Sequence, residues 1–118
     1  MRVPLSPKRI FALAQDLSKS PEEERLRAAV GRAYYAVFLT ARGKLRITSR
    51  SGVHSIVENE IMNKDWHVGI LFKNLRQLRE IADYQFPPDD MNFDNWTDNW
   101  IDAEDTANKI LIAMRSWV

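Results

Sequence analysis

The chain has 118 residues, of which 45% are hydrophobic and 28% charged, enough for one domain with a core. It contains no cysteine, which excludes disulfides and thiolate metal sites, and no apolar run approaches the roughly 20 residues that cross a bilayer. The net charge of +1 hides an asymmetry: residues 1–50 carry 11 Lys/Arg against 4 Asp/Glu, whereas residues 85–118 carry 2 against 7. The two ends either neutralise each other in the fold or leave a basic surface for phosphate.

In chain order, "MRVPLSPKRI" lacks the continuous apolar stretch of a signal peptide, so a cytoplasmic location is expected. "SPKRIFALAQDLSKS" predicts a short first helix, with Ser6 as N-cap, Pro7 at the first position, and Ile10, Leu13 and Leu17 at helical spacing. "SPEEERLRAAVGRAYYAVFLTARGKL" predicts the longest helix. Ser20 is read as its cap and Pro21 as its first residue, Glu22 to Glu24 fill the first turn, and the end falls near Leu45. Gly31 within it suggests a close helix contact.

"TSRSG" is a turn, and "VHSIVENEIM" a short third helix with Val53, Ile56, Val57 and Ile61 on one side. The fourth helix lies in "KDWHVGILFKNLRQLREIADYQF", with Leu71, Leu75, Leu78 and Ala82 in register, and Pro87 and Pro88 end it. "DDMNFDNW" is a polar loop with aromatic anchors. The final helix, "TDNWIDAEDTANKILIAMRSWV", has a stripe of Trp100, Ala103, Ala107, Ile110, Leu111, Met114 and Trp117. No strand alternation persists. The expectation is a single all-α domain over residues 1–118, an antiparallel four-helix bundle with an extra short helix.

On the long helix, about 100° per residue places Leu26, Val30, Val37 and Ala41 on a core face flanked by Tyr34, Phe38 and Leu45. The opposite face holds Arg25, Ala28, Ala29, Arg32, Tyr35, Ala36 and Leu39. Small apolar residues among arginines are unusual for a solvated face. They predict a subunit interface through Ala28, Ala29, Ala36 and Leu39, or else a seat for the first helix of the same chain.

"RAAVGRAYYAVFLTARGKL", "GVHSIVENEI" and "LRQLREIADY", in this order, resemble the HEPN family (higher eukaryotes and prokaryotes nucleotide-binding) over roughly residues 20–115. The resemblance implies a small helical bundle that dimerises. Many members are metal-independent ribonuclease toxins paired with a nucleotidyltransferase antitoxin, and others are non-catalytic RNA- or nucleotide-associated modules. Catalytic members carry an arginine followed, after four to six residues, by a histidine on the long helix. The histidine moves a proton at neutral pH and the arginine holds the scissile phosphate.

Arg32 matches that arginine, but Leu39 stands where the histidine would be. Neither His54 nor His67 has an arginine at the required spacing. The implied function is therefore a dimeric RNA- or nucleotide-associated module with an incomplete ribonuclease motif, within a toxin–antitoxin or defence system. The alternatives are a weakly active endoribonuclease and a purely structural partner. The candidate phosphate contacts are Arg25, Arg32, Tyr35 and Arg42.

Arg79, Asp83 and Tyr84 form a motif in which Arg79 and Asp83 pair at i, i+4, either for structure or as part of an RNA cleft. His54 and Glu58 are one turn apart and could hold a metal, but two ligands do not make a site, so capping or an interface role is favoured. Asp90, Asn92 and Asp94 imitate the start of a calcium loop, but Asn95 and Ile101 break the pattern. No metal, cofactor or membrane contact is expected.

Overall fold

The computed structural model describes residues 5–117. The opening segment read above for a leader falls partly on residues 1–4, which with residue 118 lie outside the described residues. The chain is all-helical: α1 is Pro7–Leu17, α2 Glu23–Lys44, α3 Val53–Lys64, α4 Trp66–Tyr84 and α5 Trp96–Met114. The four-helix bundle of α2 to α5, with α1 as the short extra helix, agrees with the sequence pattern. No described helix is long and apolar enough to cross a membrane.

Side-chain caps set the starts of α1, α4 and α5. The Ser6 hydroxyl accepts from the Arg9 N–H at 3.3 Å, with Pro7 beginning the first turn. Asp65 alone separates α3 from α4: its N–H closes α3 onto Ile61, and its carboxylate accepts from the Val68 N–H at 3.2 Å. Asn95 caps α5 through the Asp98 N–H. The imitation calcium loop uses its side chains locally, because Asp90 accepts from the Asn92 N–H in a 3-10 turn over Met91–Phe93.

One boundary differs from expectation. α2 begins at Glu23, with Glu22 at the extended angles φ −65 and ψ 132, so Pro21 lies before the helix. The Ser20 hydroxyl accepts from the Glu22 N–H at 3.3 Å, which makes a local turn and not a cap on the helix proper.

α2 is the central element. It packs against α1, α5, α4 and α3. Val30, Ala33, Tyr34, Val37 and Ala41 meet Val57 and Ile61 of α3, Phe72, Leu75 and Ala82 of α4, and Trp100, Ala103, Ala107, Ile110 and Met114 of α5 in one core cluster. Burying such side chains is worth about 1.5–3 kcal/mol each for the larger aliphatic and aromatic ones. The burial wraps further round α2 than its apolar stripe predicts. Ala29 and Ala36, read as dimer-interface candidates, are 0% exposed within this single chain. With α1 packed on α2, these small side chains serve the subunit's own interior, so neither is available to a second copy. Ala28 remains exposed and Leu39 half-buried.

Candidate functional site

Adjacent residues of α2 separate into two environments. Tyr34 points inward and is 1% exposed, while Arg32 is exposed and Tyr35 half-buried. The Arg32 guanidinium lies over the Tyr35 ring at 5.4 Å and makes no ion pair among the described residues. Tyr35 in turn stacks beside Phe38. Arg32 is thus placed by an aromatic surface and keeps its hydrogen-bonding edge unspent.

α3 delivers His54 to the same place. Gly52 precedes the helix at φ 61, a left-handed turn that glycine adopts without strain, and His54 then sits in the first turn. Its ring stacks on Phe38 with centroids 4.4 Å apart, and its Nδ1 lies 2.7 Å from the Tyr34 hydroxyl. Stacking and a hydrogen bond hold the imidazole although it remains exposed. Desolvation, then the charges of Arg79 and Arg76, hold its pKa below the ordinary histidine value. Burial pushes the Tyr34 phenol up to about 12, against the opposing pull of Arg79 and Arg76.

α4 contributes the "LREIADY" residues. Arg79 Nε binds Asp83 at 2.9 Å, as the i, i+4 spacing predicts. The Arg79 guanidinium lies 5.6 Å from the Tyr34 ring and 5.5 Å from the Tyr84 ring. Gly31 does mark a close approach: a Cβ there would stand 3.3 Å from Asp83 Oδ1. Gly31, Arg32, Tyr34, Tyr35, His54, Arg79 and Asp83 together line a concavity of about 160 Å³. Arg32 and the Arg79–Asp83 pair, far apart in the sequence, are thus brought together, and His54 joins them.

The remaining candidates fare differently. Arg25 is exposed on α2. Arg42 is committed to the following loop, donating to the carbonyls of Ile47 at 3.2 Å and Ser49 at 3.1 Å, so as a phosphate contact it competes with its own loop. Glu58 is committed to Arg76 at 2.8 Å and not left as a metal partner for His54, and Arg76 also takes Glu80 at 2.7 Å. Among the described residues, no group of three or more His, Cys, Asp or Glu could hold a metal ion. A larger cleft of about 540 Å³ between α4 and α5 presents Glu80, Asp102 and Asp105, the wrong charge for an anion, and contains none of the candidates.

Sequence reasoning missed Arg27. This arginine is 5% exposed and ties α2 to the end of α4, donating to the carbonyls of Ile81, Ala82 and Gln85. Phe86 and Trp96 each lie 4.2 Å from its guanidinium carbon. The only local signal was Glu23, four residues earlier, which accepts from its Nε at 2.9 Å. Arg27 fixes the end of α4, and with it the turn that carries Arg79 and Asp83.

Chemically, the concavity offers one unspent guanidinium, a second already sharing a carboxylate, and a held imidazole. That set suits an oxyanion better than a cation or an apolar ligand. At position 39, the half-buried leucine packs against the core and offers no group that could move a proton. No family model matches this chain, and neither does any curated protein or solved structure.

Proposed function

We propose that this chain is a HEPN-like helical module that acts as a homodimer and associates with RNA or a nucleotide, its ribonuclease motif being incomplete at Leu39. A toxin–antitoxin or defence system, with a nucleotidyltransferase antitoxin as partner, is the setting this reading favours. The observation that carries it is Arg32: an exposed guanidinium without an ion pair among the described residues, at the edge of a concavity that also holds His54 and Arg79. A protein that leaves an arginine unpaired beside a second cation meets a repulsion that an incoming phosphate would remove.

A second reading, a weakly active metal-independent endoribonuclease, is favoured by one observation. His54 is an accessible, neutral imidazole in the same concavity as Arg32. The first reading ranks higher because His54 is on a different helix from the position where the motif histidine would stand.

The test follows the binding of a labelled single-stranded RNA against salt, in the wild type and in Arg32→Ala. The expected result is a steep loss of affinity with salt, and a log–log slope shallower by about one in the variant. Absence of binding at low salt would overturn RNA association and leave a structural module. Cleavage by the wild type but not by Arg32→Ala would overturn the incomplete motif and establish the second reading.

A further inference from the structure

The geometry points to a single-phosphate site in which the Tyr34–His54 pair is the positioned donor and Arg32 and Arg79 are the flanking cations, with a phosphodiester as its preferred ligand. The inference rests on the reading above and specifies it.

The argument starts with the tyrosine. Its side chain is buried, so its O–H needs an acceptor, and His54 Nδ1 at 2.7 Å is the partner present. The phenol, raised to about 12, keeps its proton. The imidazole, held below the ordinary histidine value by desolvation and by Arg79 and Arg76, is neutral at pH 7. A tyrosine donating to Nδ1 therefore fixes the tautomer that carries its proton on Nε2. That N–H is the ring's remaining polar atom, and stacking on Phe38 holds the ring in one plane.

The charges then select the ligand. Two guanidiniums, Arg32 and Arg79, and one carboxylate, Asp83, line the concavity and leave one net positive charge. A phosphodiester carries one negative charge, whereas a terminal phosphate carries nearly two at neutral pH. Arg76 of α4 and Glu58 on the histidine's own helix also face this region, but they are bound to each other, and Arg76 binds Glu80 as well. At about 160 Å³ the space is smaller than the roughly 300–1,000 Å³ of pockets that enclose a drug-sized ligand. It accepts a phosphate group and leaves the attached nucleosides outside, where Tyr84, 67% exposed, offers a ring face.

The experiment follows the His54 imidazole resonances by NMR. The probes are an RNA dinucleotide with one phosphodiester and no terminal phosphate, AMP, and inorganic phosphate. The expected result is saturable movement with the dinucleotide at lower concentration than with the other two. The bound anion should also raise the His54 pKa, because it favours the imidazolium. His54→Ala should weaken dinucleotide binding about tenfold. Tyr34→Phe should leave the ring present but shift its tautomer populations, a change that purely structural packing would not produce. Asp83→Asn, which removes the competing carboxylate, should tighten binding. A diester preference replaced by tighter AMP or inorganic phosphate binding would overturn the ligand assignment. Unmoved His54 resonances, or His54→Ala binding as well as the wild type, would overturn the site. If that happens while the RNA oligonucleotide still binds with salt-sensitive affinity, RNA association survives and this site alone falls.

Discussion

Arg27 Nη1 lies 2.8 Å from the carbonyl oxygen of Gln85, a contact that joins the start of α2 to the end of α4. The last carbonyls of a helix lack partners within it, and here one buried guanidinium reaches that of Ala82, that of Ile81, which also accepts from the Gln85 N–H, and that of Gln85 just past the helix end. Arg27→Met preserves much of the volume but removes the donor to the Ala82 and Gln85 carbonyls and loses the cation's contacts with Phe86 and Trp96. It should destabilise the fold by about 2–4 kcal/mol, measured by urea unfolding. Arg27→Lys should recover only part, because an ammonium cannot form the same planar contacts. A loss below about 0.5 kcal/mol for Arg27→Met, the range of ordinary surface changes, would remove Arg27 from this role.

Three glycines should respond to alanine in different directions. A Cβ on Gly69 would stand 2.8 Å from the Met62 Cα, so backbone would have to move where α3 and α4 approach. Overpacking of this kind costs about 1–3 kcal/mol, more than the roughly 1 kcal/mol of helix propensity gained. Gly43 has nothing within 4 Å of an added Cβ, so Gly43→Ala should stabilise by about 0.5–1 kcal/mol. Gly31→Ala falls between them, since it meets only the end of the Asp83 side chain. Thermal unfolding of the three variants checks the order, and a stabilised Gly69→Ala would refute it.

These residues show which parts of the molecule were legible in the sequence. Ser6, Pro7 and the apolar stripes act within a few residues of themselves, so the existence of each helix follows from local chemistry. The Arg79–Asp83 pair is of that kind too. Arg27 is not, because Ile81 and Gln85 are 54 and 58 residues away. Nor is the Tyr34–His54 bond, which spans 20 residues and two helices. Ala29 and Ala36 illustrate a different limit. Small residues announce that a helix comes close, but the signal is the same whether that helix belongs to the chain itself or to a second copy.

The Tyr34–His54 pair should leave opposite signatures at the two ends of the pH range. The His54 pKa is lower in the fold than in the unfolded chain, so the unfolded state takes up the proton first. Its contribution to stability is complete above about pH 6.5 and declines as pH falls through the folded value. Tyr34 is the reverse: raised to about 12, it contributes fully below pH 10 and loses that contribution between pH 10 and 12. Urea unfolding of His54→Gln and of Tyr34→Phe, each compared with the wild type across pH, isolates the two effects from the other titrating groups. The His54→Gln difference should shrink towards acid and the Tyr34→Phe difference towards alkali. Differences that stay constant across both windows would contradict the pairing.

The proposed dimer now has a narrower seam to test. Ala29 and Ala36 lie inside the subunit, so Ala36→Glu would place a carboxylate in a filled interior and damage the fold itself. Ala28, exposed, and Leu39, half-buried, remain on the accessible stripe of α2 with Arg25, Arg32 and Tyr35. If that stripe meets its counterpart on a second copy, a glutamate at position 28 is buried on association in each subunit. Ala28→Glu should then weaken the dimer at least about tenfold, equivalent to about 1.4 kcal/mol, while leaving the helical content and melting of the monomer nearly unchanged. Leu39→Glu should weaken association as well, with some loss of monomer stability, because Leu39 also packs against the core. Sedimentation velocity over a concentration series measures both. A monomeric wild type would overturn the dimer, and a dimer indifferent to both substitutions would move its seam off α2. Arg25 and Arg32 on the same stripe explain why the outcome also bears on function. Dimerisation there would set the arginines of two subunits near one another, and an added polyanion should then strengthen association of the wild type but not of Arg32→Ala.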